Sequence, residues 1–222
     1  MGTITRSFAN NITTSGVLLP ASLNNNSIAN VTEYNAAVAT GNMVLLSSQT
    51  ASDSASISFT TGIDSTYKEY QFWFVDIHAR TDGTTFHFNM STDSGSNYNV
   101  TKTTTFFVGY HNESDTQAGL TYQAGEDLAQ STSFQNLSEA NNMSSDADHA
   151  LVGSMSLFNP ASTTYVKHFI SNINFSHAGD YQINSYIAGY GNTTSAINAV
   201  QFKMSSGNFD GTILLYGIKW LV

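Results

Sequence analysis

From Met43 onward, apolar side chains recur at every second position in short runs separated by clusters of Gly, Asn, Asp and Ser. This pattern predicts antiparallel strands. In ASISFT, Ile57 and Phe59 share a face opposite Ser56 and Ser58. In TTFHFNM, Phe86, Phe88 and Met90 face a core while His87 and Asn89 point away, and in AVQFKM, Val200, Phe202 and Met204 oppose Gln201 and Lys203. The runs place about ten strands, near residues 43–48, 54–60, 69–79, 84–91, 103–111, 149–158, 164–174, 180–190, 197–205 and 211–219. Two shorter strands are expected around Leu120–Tyr122 and Ser133–Leu137.

YQFWFVDI, Tyr70 to Ile77, is apolar on both faces for most of its length. It reads as a central strand covered on both sides, with a subunit contact as one source of the second cover. GTILLYGI, Gly211 to Ile218, also reads as a core strand, with Ile213 and Leu215 toward one layer and Leu214, Tyr216 and Ile218 toward the other. Trp220, Leu221 and Val222 overshoot that strand and are expected to lie against another subunit or the chain's own N-terminal segment, because an exposed apolar cluster invites association.

No stretch sustains a helical period, and many short strands separated by turn residues predict a sandwich or barrel. The expected fold is an all-β antiparallel sandwich of jelly-roll type, with about 8–10 strands spanning residues 41–222. Residues 1–40 lack alternating runs and carry scattered apolar anchors, chiefly Phe8, Ile12, Val17, Leu18 and Leu19. Those anchors are too few to offset an ordering entropy of roughly 1–2 kcal/mol per residue. The segment is expected to be an extended docking element that borrows its order from a partner. Asn112 to Asp148 is the longest weakly patterned region, and loops of such length usually carry function or meet a partner.

Composition narrows the function. Ser (29), Thr (26) and Asn (22) make up 77 of 222 residues, and seven Lys+Arg against 16 Asp+Glu give a net charge of -9. That sign repels phosphate backbones, so nucleic acid is not an expected partner. Cys is absent, which removes disulfides and thiolate ligands. The opening residues lack the apolar core of a secretory signal and no run is long enough to span a bilayer, so synthesis in a cytoplasm without membrane insertion is expected. The Asn-x-Ser/Thr sequons follow from the composition.

Catalytic patterns do not emerge. The six His residues at 78, 87, 111, 149, 168 and 177 show no zinc spacing. TDSGSN around Asp93 and SSDAD around Asp146 and Asp148 fall short of a calcium loop. There is no GxSxG elbow and no phosphate-binding Gly loop. A non-enzymatic protein without metal or cofactor is expected. Aromatic residues beside amides suit sugar faces and hydroxyls, and they nominate Tyr98, Asn99, Tyr110, Asn112 and Tyr190 as candidate glycan contacts. Tyr is also an ordinary strand residue.

The stretches SFTTGIDSTYKEYQFWFVDIHART (58–81), STTYVKHFI (162–170) and VQFKMSSGNFDGTILLYGIK (200–219), with the N-terminal SFANNITTSGVLLP, resemble virion proteins of marine tailed phages, especially those of cyanobacteria. The resemblance spans most of the chain. It implies a β-rich structural subunit of the particle, such as a tail fibre, spike or head decoration, assembled in the host cytoplasm. It further implies a homo-oligomer, with a trimer as the first expectation, joined to other virion proteins through residues 1–40. A host-receptor module that binds surface glycan is the alternative, and a polysaccharide-degrading enzyme ranks third. At marine ionic strength the Debye length falls between the ~3 Å of 1 M salt and the ~10 Å of 0.1 M. Apolar packing and hydrogen bonds, more than ion pairs, would then hold such an assembly.

Overall fold

A computed structural model of the chain describes residues 42–139 and 143–220. The expected docking segment, residues 1–40, lies outside the described residues. The strands are β1 (Met43–Ser54), β2 (Ser56–Phe59), β3 (Glu69–Ala79), β4 (Phe86–Ser91), β5 (Lys102–Asn112), β6 (Ala118–Tyr122), β7 (Gln135–Asn136), β8 (Leu151–Phe158), β9 (Lys167–His177), β10 (Tyr181–Gly191), β11 (Ala199–Met204) and β12 (Phe209–Ile218). They form an eight-stranded antiparallel sheet in the order β1-β12-β3-β8-β9-β10-β5-β6 and a four-stranded antiparallel sheet in the order β2-β11-β4-β7.

The strand order makes this a jelly roll. With the hairpin strands β5, β6, β9 and β10 set aside, the remaining eight strands alternate between the two sheets from β1 to β12 except at β4 and β7, which are successive and pair within the small sheet. They leave two four-stranded layers, β1-β12-β3-β8 and β2-β11-β4-β7. The other four strands extend the first layer beyond the edge of the second. The weakly patterned region after β5 covers the extension from within. Past β6 the chain keeps to the β5 edge, with Gln123 N donating to Phe106 O at 2.8 Å, Thr104 N to Leu128 O at 2.9 Å and Lys102 N to Ser131 O at 2.8 Å. It then crosses to pair with β4 through β7, burying Leu137, Gln135, Asn136 and Ser138.

The core follows the period-two pattern. Ile57, Phe59, Phe86, Phe88, Met90, Val200, Phe202 and Met204 from the small sheet meet Tyr70, Phe72, Phe74, Ile213 and Leu215 from the large one, all buried. Phe202 is the hub, with ring centroids 5.1 Å from both Phe72 and Phe74, 5.8 Å from Phe86 and 6.3 Å from Phe59. Most of these are the edge-to-face arrangements that aromatic quadrupoles favour. On β3, Tyr70, Phe72, Phe74 and Ile77 are buried, whereas Trp73 and Val75 stand on the outer face of the large sheet. The expected inner cover is therefore present, and on the outer face Trp73 and Val75 are exposed among the described residues.

One irregularity organises the middle of the large sheet. Asp76 takes φ 50, a left-handed conformation that Asp tolerates, and the registers of β3 with both β12 and β8 shift there. Gly211 on β12 has φ +123, and a Cβ at that position would lie 2.6 Å from Asp76 O. Only glycine fits beside this bulge.

Candidate functional site

Away from the bulge at Asp76, alternate positions of β3, β8, β9, β10 and β5 assemble into continuous rows across the outer face. One row runs Leu214, Trp73, Ser154, Asn172, Tyr186, Phe107, Tyr122, and the next runs Leu45, Tyr216, Gln71, Ser156, Ile170, Ala188, Thr105. The face has two unlike halves.

On the β1-β12-β3-β8 half, Trp73 (42% exposed), Leu45 (52%), Val75 and Val152 present apolar surface outward. The Trp73 indole donates to Gln71 Oε1 at 3.0 Å, so its one polar atom is satisfied within its own strand and its ring remains an apolar surface. Just past β12, Lys219 N donates to Asn42 O at 2.7 Å, which ties the end of that strand to the start of β1. Trp220 follows, 61% exposed.

The β9-β10-β5 half is grooved. Ala188 forms a low floor between two ring pairs. Phe107 and Tyr186 stack with centroids 5.1 Å apart and planes 15° apart, and His168 and Tyr190 lie 6.0 Å apart. Ile170 and Ala188 are shared by two adjoining depressions of about 400 and 460 Å³, one bounded by the Phe107–Tyr186 pair and the other by His168 and Tyr190. Toward the other end of β10, Asn184 Nδ2 donates to Asn172 Oδ1 at 2.8 Å, and Asn174, Asn184 and Gln182 edge a third depression of about 420 Å³.

Comparison of the chain with protein-family models, curated proteins and solved structures finds no match. The geometry therefore carries the functional reading.

The five residues nominated as glycan contacts fall in four places. Tyr190 lies on the grooved face. Tyr98 is half-buried and its carbonyl accepts from Asn89 Nδ2 at 2.7 Å; with the exposed Asn99 it belongs to the loop before β5. Tyr110 points to the other side of the sheet, where it packs at 6.2 Å on Tyr181 and lines a depression of about 310 Å³ with His177, Ile183 and Glu139. Asn112 is buried and ties the β5–β6 turn: its Oδ1 accepts from Thr116 N at 2.9 Å and Gln117 N at 2.8 Å, while Nδ2 donates to Ser114 and Thr116 hydroxyls. Its amide is used up in building the turn.

Of the expected assembly residues, Trp220 is exposed, and Phe8, Ile12, Val17, Leu18, Leu19, Leu221 and Val222 lie outside the described residues. The carboxyl in the loop around Asp93 is taken up locally: hydrogen bonds from Ser91 and Asn97 hold it down to about 2. Among the described residues no three metal-ligating side chains converge. Sequence reasoning missed Phe107, Tyr186, Asn172 and Asn184. Each sits at an outward position of a readable alternating run, but the groove arises only when β5, β10 and β9 are placed side by side.

Proposed function

We propose that this protein is a non-enzymatic structural subunit of a tailed-phage particle, a jelly roll that associates with further copies of itself through the Trp73 side of its large sheet. The observation that carries the reading is the set of outward apolar side chains Leu45, Trp73, Val75 and Val152 on this half, with Trp220 also exposed just past the end of β12. Monomeric proteins seldom leave such side chains contiguous and uncovered. Completing the burial of each contributes about 1 kcal/mol or more, since a full transfer of such a side chain is worth ~1.5–3 kcal/mol. In a homo-oligomer both partners contribute. The likeness of the β3, β9 and β11–β12 segments to phage virion sequences supports the setting, with residues 1–40 as the attachment segment.

Sedimentation velocity on the purified chain tests the association. An oligomer is expected, falling to a monomer in Trp73→Glu with thermal unfolding unchanged; a wild-type chain that stays monomeric at tens of micromolar sinks the reading. For the setting, antibodies raised against residues 41–222 should label purified phage particles from the producing host. Particles free of the protein would rule it out as a virion component.

A further inference from the structure

The grooved half of the outer face borders the Trp73 cluster at the Val152–Asn174 pair and has a different chemistry. We infer that it is a binding site for a neutral polysaccharide chain, laid along β10 from the Asn172–Asn184 amides to the His168–Tyr190 pair.

Three features point to that ligand. The first is charge: the outward positions of β8, β9, β10 and β5 carry no Asp, Glu, Lys or Arg. In a protein of net charge -9 this leaves a strip of uncharged side chains, bordered on β3 by the Glu69 carboxylate that accepts from Ser156 Oγ at 2.9 Å, and such a strip suits an uncharged polymer better than an anionic one. The second is the placing of the rings. Tyr186 and Tyr190 stand on the same side of one strand four residues apart, about 14 Å at ~3.4 Å per residue. That separation matches a short run of linked pyranose rings, whose C–H faces pack on aromatic rings. The small side chain of Ala188 leaves the space between them open, so a chain can lie flat from one ring to the next. Third, the polar atoms are amides. Asn172, Asn174, Asn184 and Gln182 offer donors and acceptors together, which is what sugar hydroxyls require and what a purely apolar subunit contact does not.

A second copy of the chain is the competing occupant, and it predicts a dry apolar contact such as the Trp73 half offers. The amide row and open floor favour the glycan. Because the two assignments rest on different side chains, failure of one does not imply failure of the other.

Native affinity electrophoresis of the full chain in gels containing dextran, soluble starch, xyloglucan or galactomannan, with alginate as the anionic control, tests the inference. At least one neutral polymer should retard the protein, and alginate should not. Tyr186→Ala and Ala188→Arg should each weaken retardation roughly tenfold, equivalent to ~1.4 kcal/mol. Trp73→Glu should leave it unchanged. Near-UV circular dichroism checks that the variants fold. Methyl NMR of the wild-type chain provides a readout without mutation: the retarding polymer should shift Ile170 and Ala188 and leave the core residue Ile213 in place. Absence of retardation by every neutral polymer, retardation by alginate alone, or retardation unaffected by both groove variants would overturn the assignment. So would a drop in sedimentation coefficient caused by Tyr186→Ala, which would give the groove to a second copy.

Discussion

Lys102 donates its ammonium to the amide oxygen of Asn89 at 2.5 Å, inside the protein, and its second acceptor is the backbone carbonyl of Val100 at 2.8 Å. Across β10, Lys167 is equally buried and donates to Tyr165 O at 2.6 Å and Thr193 O at 3.2 Å. Both lysines pair with Gly191, one from each side. Burial pushes Lys102 down to about 7 and lowers Lys167 as well. Between pH 7 and about 10 the unfolded chain therefore holds a proton that the folded chain has released, and stability rises with pH across that window, by up to about 1.4 kcal/mol per pH unit from Lys102. Thermal unfolding should show the rise, and Lys102→Met should flatten it. A wild-type profile flat from pH 7 to 9.5 would show that the ammonium stays charged in its carbonyl setting.

His87 adds an acid limb. Burial, helped by the charge of Lys203, lowers its imidazole to about 4, and its Nε2 lies 2.6 Å from Thr85 Oγ1. In the unfolded chain it protonates near its ordinary value of 6.5. Stability from this group is complete above that value and is lost as pH falls toward 4. Denaturant midpoints in His87→Gln should depend less on pH between 6.5 and 4 than those of the wild type.

Gly211→Ala should be among the costliest single-methyl changes in the protein. The new Cβ meets Asp76 O and the Ile77 Cα, which are backbone atoms of a packed strand and cannot swing aside, and φ +123 is unfavourable for any L side chain. A loss of about 2–4 kcal/mol in urea unfolding is expected. A loss below about 1 kcal/mol would mean that the bulge at Asp76 can relax.

Phe202→Ala removes the ring that joins both sheets and should cost about 3–5 kcal/mol. Phe202→Leu should recover part of it. A Phe202→Leu variant as stable as the wild type would show that the ring geometry around residue 202 contributes little beyond filled volume.

Deletion of residues 220–222 should leave the unfolding temperature within a degree or two of wild type, since Trp220 is 61% exposed and follows the last strand. On the proposed association it should lower the sedimentation coefficient. An unchanged coefficient would remove Trp220 from the contact.

Local patterning made the strands legible, because a residue's face depends on its immediate neighbours. Phe86, Phe88 and Met90 were placed correctly by alternation alone, as were Ile213 and Leu215. Asn89 shows the limit: it lies on the face opposite the core as alternation requires, yet it is buried, with its amide donating to Tyr98 O and Thr132 O. Cover by a distant loop leaves no local trace. The same holds for Lys102 and Lys167, whose residue type predicts solvent. Asn112 was read as a sugar contact because an amide that can hold a hydroxyl can equally hold a turn, and neighbouring residues do not distinguish the two uses. The jelly-roll class followed from strand number and spacing, whereas the extension of one sheet by β9-β10-β5-β6 depends on pairings such as Phe107 with Tyr186 that composition does not encode.

The order of strands also sets a timetable for the nascent chain. β11 lies between β2 and β4, and β12 between β1 and β3, so the interior strand of each layer is among the last to be translated. After β3 leaves the ribosome, about 130 further residues must follow before β12 can fill the gap beside it, which at ~5–20 residues per second takes several seconds or more. During that interval β1 and β3 have unpaired edges and the Phe72–Phe74 surface lacks its cover. Such chains have slow, non-local folding and expose the segments that chaperones bind. Yield in a heterologous host should therefore respond more to translation rate and chaperone supply than to changes in the stability of the finished domain.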